Sequence, residues 1–141
     1  MDIRKLTDGY AVSPQIAPED MARIKAEGFA AVICNRPDAE VDAGNEAAAL
    51  RRAAEAEGLA FHDNPVVNGA LDIGNVETQQ GALDAADGPV LAYCRSGTRS
   101  ATVWALGQAG RRPTDEIIAA AARGGYDLEG MRAQLDALAT R

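Results

Sequence analysis

The spacing of apolar positions changes from segment to segment along the chain, and the changes mark alternating strands and helices. Ile3 to Leu6 and Tyr10 to Ser13 read as two short strands around the turn pair Asp8-Gly9. Pro18-Glu19-Asp20 opens a helix, with proline in the first turn and acids at the positive end of the helix dipole. Met21, Ile24 and Lys25 follow, and Gly28 stops the helix. Phe29 to Cys34 is nearly continuous in apolar residues, the pattern of a strand buried on both faces. Asn35-Arg36-Pro37-Asp38 breaks that strand. Beyond it the pattern predicts a helix from Asn45 to Glu57, a strand from Leu59 to His62 and a loop from Asn64 to Gly74. A helix from Val76 to Ala86 and a buried strand from Pro89 to Tyr93 come next. Ser100 to Ala109 is apolar nearly all round, which marks a central buried helix. Helices near Thr114 to Arg123 and Leu128 to Ala139 complete the series. Strands alternating with helices predict an α/β domain with a mainly parallel central sheet flanked by helices.

Composition narrows the class. With 141 residues and no low-complexity linker, a single domain over residues 1–141 is expected. Hydrophobic residues make up 47% and charged residues 25%, ordinary values for a soluble globular protein. Aromatics are only 4%, so the core should be aliphatic and helix-rich. Fourteen basic residues against 21 acidic ones leave a net charge of −7, which argues against nucleic acid or an anionic membrane as partner. No apolar run approaches the roughly 18 residues of a membrane span. Met1-Asp2-Ile3-Arg4-Lys5 leads into no signal segment, so a cytoplasmic location is expected. Two cysteines make no disulfide framework, and one histidine adds little for a metal site; no metal and no cofactor are expected. Nothing in the pattern sets an oligomeric state.

The chemistry concentrates in Val90-Leu91-Ala92-Tyr93-Cys94-Arg95-Ser96-Gly97-Thr98-Arg99-Ser100. A cysteine at the carboxyl end of a strand is followed, five residues on, by an arginine at the start of a helix. Ligands of open α/β sheets bind at that end of the strands. The small residues between let the backbone curl so that successive N–H groups face inward as an anion cradle, reinforced by the helix dipole. A thiol placed there should ionise readily and act as a nucleophile. Cys94 and Arg99 are the expected catalytic pair, with Arg99 closing the cradle by its planar donor fork. Arg95, Ser96, Gly97, Thr98 and Ser100 are the expected substrate-binding residues.

These residues carry a resemblance. Cys94-Arg95-Ser96-Gly97-Thr98-Arg99-Ser100 resembles the active loop of rhodanese-like sulfurtransferases, in which four residues separate cysteine and arginine. Protein tyrosine and dual-specificity phosphatases have five there, usually with a histidine before the cysteine; Tyr93 holds that place here. Tyr10-Ala11-Val12-Ser13-Pro14-Gln15 and Ala31-Val32-Ile33-Cys34-Asn35-Arg36-Pro37-Asp38-Ala39-Glu40 are similar to the opening of dual-specificity phosphatases. The whole chain resembles the phosphatase-like domain of beta-lactamase-hydrolase-like proteins, a bacterial family regarded as containing candidate sulfurtransferases. The resemblance implies a phosphatase-like fold and a sulfane sulfur carried as a Cys94 persulfide. The implied partners are a small anionic donor (thiosulfate, persulfide or polysulfide) and a thiol acceptor.

Two departures from the phosphatase pattern favour sulfur over phosphate. The loop is one residue shorter, so its ring of N–H groups suits a single sulfur better than a tetrahedral phosphoryl group. In Pro65-Val66-Val67-Asn68-Gly69-Ala70, the apparent match to the phosphatase general acid is Asn68, which cannot donate a carboxyl proton. Asp72 and Asp63 are the nearest substitutes. Ester cleavage needs protonation of an expelled oxygen, whereas a departing sulfite or thiolate does not. The alternatives are a tyrosine or dual-specificity-type phosphatase working through a phosphocysteine and, in another class, a noncatalytic anion-binding or redox-sensing module.

Other residues have plainer expectations. Cys34 reads as a small buried hydrophobe rather than a resolving thiol. His62 reads as a structural histidine, Arg36 with Glu40 as an ion pair at the rim, and Trp104 as core packing. Arg111-Arg112 form a basic turn that could help an anionic donor approach.

Overall fold

A computed structural model describes residues 1–140. Among them five strands form one sheet in the order β1-β2-β5-β3-β4: β1 (Arg4–Thr7), β2 (Tyr10–Ser13), β3 (Ala31–Cys34), β4 (Ala60–Asp63) and β5 (Val90–Tyr93). The β1–β2 hairpin is antiparallel, and the remaining pairs are parallel. The α/β class with a mainly parallel sheet is as the apolar pattern predicts.

Strand β5 is central. Tyr93 lies level with Ser13 of β2 on one side and with Cys34 of β3 on the other. The residue after it, Cys94, therefore leaves the middle of the sheet at the carboxyl ends of three parallel strands. All four side chains of β5 are buried, because both faces of the sheet are covered.

Alternation along the strands sorts the core into two layers. Leu91, Tyr93, Val32 and Cys34 face α1 (Met21–Ala26) and α2 (Ala47–Ala56), packing on Met21, Ile24, Leu50 and Ala54. Val90, Ala92, Val12 and Ile33 face the other way. That side is covered by α3 (Ile73–Ala85), α4 (Thr98–Gln108), α5 (Thr114–Arg123) and α6 (Arg132–Ala139). Fully burying a side chain the size of Ile24 or Leu50 contributes about 1.5–3 kcal/mol. Trp104 of α4 stacks on Tyr10 with ring centroids 5.5 Å apart, so it is core packing, as expected.

Several boundaries differ from the sequence expectation, each for a local reason. Pro18–Asp20 is a separate 3-10 turn ahead of α1, closed by the Asp20 carboxylate accepting from the Ala17 N–H at 2.8 Å. Helix α2 begins at Ala47, two residues late, where Asp38 Oδ1 accepts from the Ala47 N–H at 2.8 Å across an intervening loop. Helix α3 begins early, at Ile73: Asp72 caps the Asn75 N–H at 3.0 Å, and Asn75 Oδ1 accepts from the Asp72 N–H at 3.2 Å. Helix α4 also begins early, at Thr98, because Gly97 supplies the left-handed turn that lets the chain enter it.

Candidate active site

The loop from Cys94 to Gly97 joins the end of β5 to the start of α4, and its shape is set from both sides. Cys94 N–H reaches the Ser13 carbonyl at 3.4 Å, and the Gln15 N–H reaches the Arg95 carbonyl at 3.4 Å. Gly97 adopts φ 95° and ψ −14°, a conformation that a residue with a Cβ rarely takes. Its N–H then points back and donates to Cys94 Sγ at 3.1 Å. Tyr126, on the segment after α5, donates from its hydroxyl to the Ser96 carbonyl at 2.9 Å. That bond holds the Ser96 carbonyl, the other half of the peptide unit whose Gly97 N–H reaches the sulfur. Ser96 Oγ donates to Thr98 Oγ1 at 3.1 Å and accepts from the Thr98 N–H at 3.4 Å.

Cys94 is 0% exposed. Arg95, Ser96, Thr98 and Arg99 line a cleft of about 330 Å³ beside it, with Asn68 on the facing wall. Four of the expected site residues thus share one concavity with Asn68. Gly97 contributes through its backbone from below. The sulfur itself is shielded from solvent, which the sequence did not anticipate.

Ser100 departs from expectation. It is fully buried, and its Oγ donates to Asn35 Oδ1 at 2.8 Å, away from the cleft. Its carbonyl accepts from the Tyr10 hydroxyl at 2.8 Å. Ser100 ties the first turn of α4 to β2 and to Asn35, and its side chain does not line the cleft. The reason is geometric: one residue past Arg99, the helix has already turned this side chain toward the sheet.

Behind Ser100 lies a buried amide network that sequence reasoning missed. Asn35, at the end of β3, exchanges hydrogen bonds with Gln79 of α3 at 2.8 and 3.1 Å. Gln79 Nε2 also donates to the Tyr10 hydroxyl at 3.0 Å, and Asn64 donates to Gln79 Oε1 at 2.9 Å. The available signal was Asn35 itself, a polar residue directly after a buried apolar strand.

Arg99 also behaves differently from a free clamp. Its Nη1 and Nη2 donate to the two carboxylate oxygens of Glu40 at 2.8 and 2.7 Å, and Nη1 donates to the Val66 carbonyl at 2.8 Å. Arg36 Nε meets the same carboxylate at 3.3 Å, as the expected rim pair. Hydrogen bonding to Arg99, joined by the charges of both arginines, holds the Glu40 carboxyl below the usual carboxylate range. Glu40 is thus the acid beside the loop, and it is kept ionised. No other signal than the Arg36-to-Glu40 spacing pointed to it.

The remaining candidates lie elsewhere. Asp72 is spent on capping α3. Asp63 follows Phe61 on the α1–α2 face, where burial raises its carboxyl above the ordinary value. Cys34 belongs to that face as well, opposite to the side Cys94 turns toward. Its thiol reaches the Arg36 carbonyl at 3.3 Å, and burial pushes its pKa up to about 11. Burial, with Arg51 nearby, lowers the pKa of His62, and no hydrogen bond joins it to the loop among the described residues. Arg111 pairs with Asp84, and Arg112 lines a separate cleft of about 580 Å³ with Lys5, Asp8 and Arg123. Both follow the far end of α4, the end opposite to the loop. Among the described residues no cluster of His, Cys, Asp and Glu could hold a metal ion, and no helix is long and apolar enough to cross a membrane.

A cysteine at the end of a central strand, a four-residue turn and an arginine in the first turn of the next helix define a cysteine-loop domain of phosphatase-like fold. Residues 2–111 match the family described as beta-lactamase hydrolase-like protein, phosphatase-like domain, and the chain belongs to that family. A beta-lactamase hydrolase-like protein of Xylella fastidiosa (strain Temecula1) is 33% identical over 134 residues, covering 91% of this chain and 30% of that protein. Another from Agrobacterium fabrum is 32% identical over 120 residues, covering 84% and 27%. The chain thus spans under a third of the length of these relatives. Among solved structures, a candidate phosphatase of Neisseria meningitidis is 37% identical, with a TM-score of 0.83 over 98% of this chain and 99% of that one. A kinase associated phosphatase shares 15% identity and a TM-score of 0.69 over 99% and 96%, a likeness of fold.

Proposed function

We propose that the domain is a sulfurtransferase that carries sulfane sulfur on Cys94. The observation that carries this reading is the pair of groups at the mouth of the loop. The residue that the resemblance matches to a phosphatase general acid is Asn68, a carboxamide on the cleft, and the carboxylate bonded to Arg99, Glu40, is held ionised. Neither gives a proton to a departing alkoxide or phenoxide, and a departing thiolate needs none.

The Cys94 thiolate attacks the outer sulfur of a donor. The new Sγ–S bond forms as the donor's S–S bond breaks, and the donor remnant leaves with the electron pair. The persulfide rests against the Gly97 N–H and the N-terminus of α4. A thiolate acceptor then attacks the outer sulfur and restores Cys94, completing a ping-pong cycle.

The phosphatase reading is favoured by a different observation, the match over nearly the whole chain to phosphatase-like structures. The two separate on parallel assays of the protein and its Cys94→Ser variant. Sulfur transfer to a thiol should depend on Cys94, with kcat/KM on an aryl phosphate at least about a hundredfold lower, the scale of a missing general acid. Cys94-dependent turnover of the phosphate ester with no sulfur transfer would overturn the proposal.

A further inference from the structure

Tyr126 is anchored before it reaches the loop. Its N–H donates to the Ala121 carbonyl at 3.0 Å, which ties it to the last turn of α5. The chain packs closely there: a Cβ at Gly124 would lie 2.5 Å from Leu6 Cδ2 and 3.3 Å from Tyr126 Cδ2. Arg4 lies over the Tyr126 ring, 5.5 Å from its centroid, and its Nη1 donates to the Gly124 carbonyl at 3.1 Å. The ring is buried in the apolar layer that holds Leu6 and Leu128. Burial raises the pKa of its phenol, so the hydroxyl keeps its proton and acts as a donor.

What the hydroxyl holds is one peptide unit. It donates to the Ser96 carbonyl at 2.9 Å, and the N–H across the same peptide bond, that of Gly97, donates to Cys94 Sγ at 3.1 Å. In a planar trans peptide the two groups point to opposite sides, so fixing one fixes the other. The helix ladder of α4 starts one residue further on, with the Ala101 N–H on the Gly97 carbonyl at 2.9 Å. Glycine accepts either sign of φ, so at position 97 it lets this peptide rotate at little cost. Turned over, the unit would take its N–H off the sulfur and face it with a carbonyl oxygen. A fully buried ionised sulfur depends on such donors in place of water. Arg99 of α4 is the charged group that faces Cys94; the phenols of Tyr10 on β2 and Tyr126 are the other titratable ones, and burial holds both protonated.

We propose that Tyr126 is a positioning residue for the nucleophile: its hydroxyl latches the peptide between Ser96 and Gly97 with the N–H on Cys94 Sγ, and thereby favours the thiolate. The proposal deepens the reading of Cys94 as the nucleophile and rests on it. No bond to Tyr126 forms or breaks, and its proton stays on the phenol through the cycle.

The test follows ionisation of Cys94 by NMR of protein carrying isotope-labelled cysteine, in the wild type and in Tyr126→Phe, which removes the hydroxyl and keeps the ring. Cys94→Ser identifies the Cys34 signal. The Cys94 midpoint should rise by at least about half a pH unit in Tyr126→Phe, a fraction of what a hydrogen bond to a charged group is worth. The Cys34 signal should stay where it is. The pH–rate profile of Cys94-dependent sulfur loading should move alkaline by the same amount, with its plateau recovered at high pH. A purely structural role would lower the urea midpoint and leave both pH readings in place, and that result overturns the inference. If Tyr126→Phe fails to fold, the wild type decides: the Gly97 amide proton should track the Cys94 titration, and an amide indifferent to it overturns the latch. If the titration shifts as expected while no donor loads sulfur, the sulfur-transfer reading falls and the role of Tyr126 stands. If sulfur loads while the titration ignores the hydroxyl, only the role of Tyr126 falls.

Discussion

Gly97 does two jobs with one backbone conformation. At φ 95° it turns the chain into α4 and aims its N–H at Cys94 Sγ. A Cβ there would run into the Tyr126 hydroxyl and lie 2.8 Å from Tyr126 Cζ. Gly97→Ala should therefore cost about 1–3 kcal/mol through backbone strain and the clash. It should also slow sulfur loading of Cys94, read by denaturant unfolding and by rapid-quench mass analysis on one preparation. Native stability with native loading would show that the turn does not organise the loop. At this scale the sequence was legible where chain order sets position: Cys94 lies just past β5, Arg99 in the first turn of α4 and Asn68 on the cleft, as the order of residues leads one to expect. Ser100 faces Asn35 rather than the cleft, because adjacency to Arg99 says nothing about which way a helix turn faces. Tyr126 was invisible, since a tyrosine 30 residues beyond the loop carries no mark of the carbonyl it will hold.

Helix α3 is bound to the sheet by polar contacts as well as apolar ones. Gln79 joins it to β3 through Asn35, to β2 through the Tyr10 hydroxyl, and to the loop after β4 through Asn64. The same network reaches α4, because Asn35 Oδ1 also accepts from Ser100. Gln79→Leu removes one member and strands one N–H of Asn35 and one of Asn64, each at about 1–3 kcal/mol. The urea midpoint should fall by the equivalent of at least about 2 kcal/mol, and Asn35→Ala should add less than its separate effect, because the two share bonds. Independent, additive effects would contradict a single network. The elements themselves were readable from apolar periodicity, and their ends less so. Helix α2 waits for Asp38, seven residues before the predicted start at Asn45, and α3 starts on an Asp72–Asn75 exchange inside a segment that reads as loop.

At the scale of the molecule, sheet order is what makes the site. Strand β5 is the last strand in sequence and the middle one in space, so Cys94 emerges between the ends of β2 and β3. Ser13, Gln15, Asn35, Arg36 and Glu40, all close to those ends in sequence, thereby surround the loop. The α/β class followed from the alternation of elements, whereas this strand order did not follow from pattern alone, and with it went the Glu40–Arg99 pair. That pair also changes how the negative charge of the protein reads: one of its acids is shared between Arg36 and Arg99 beside the anion loop. The central claim is that the covered sulfur at this crossing of strands is a sulfur carrier. Intact and peptide mass spectrometry of the protein after exposure to a persulfide, then after addition of a thiol acceptor, tests it directly. The account predicts a gain of one sulfur atom, confined to Cys94, that the acceptor removes and Cys94→Ser abolishes; no gain, or a gain confined to Cys34, would contradict it.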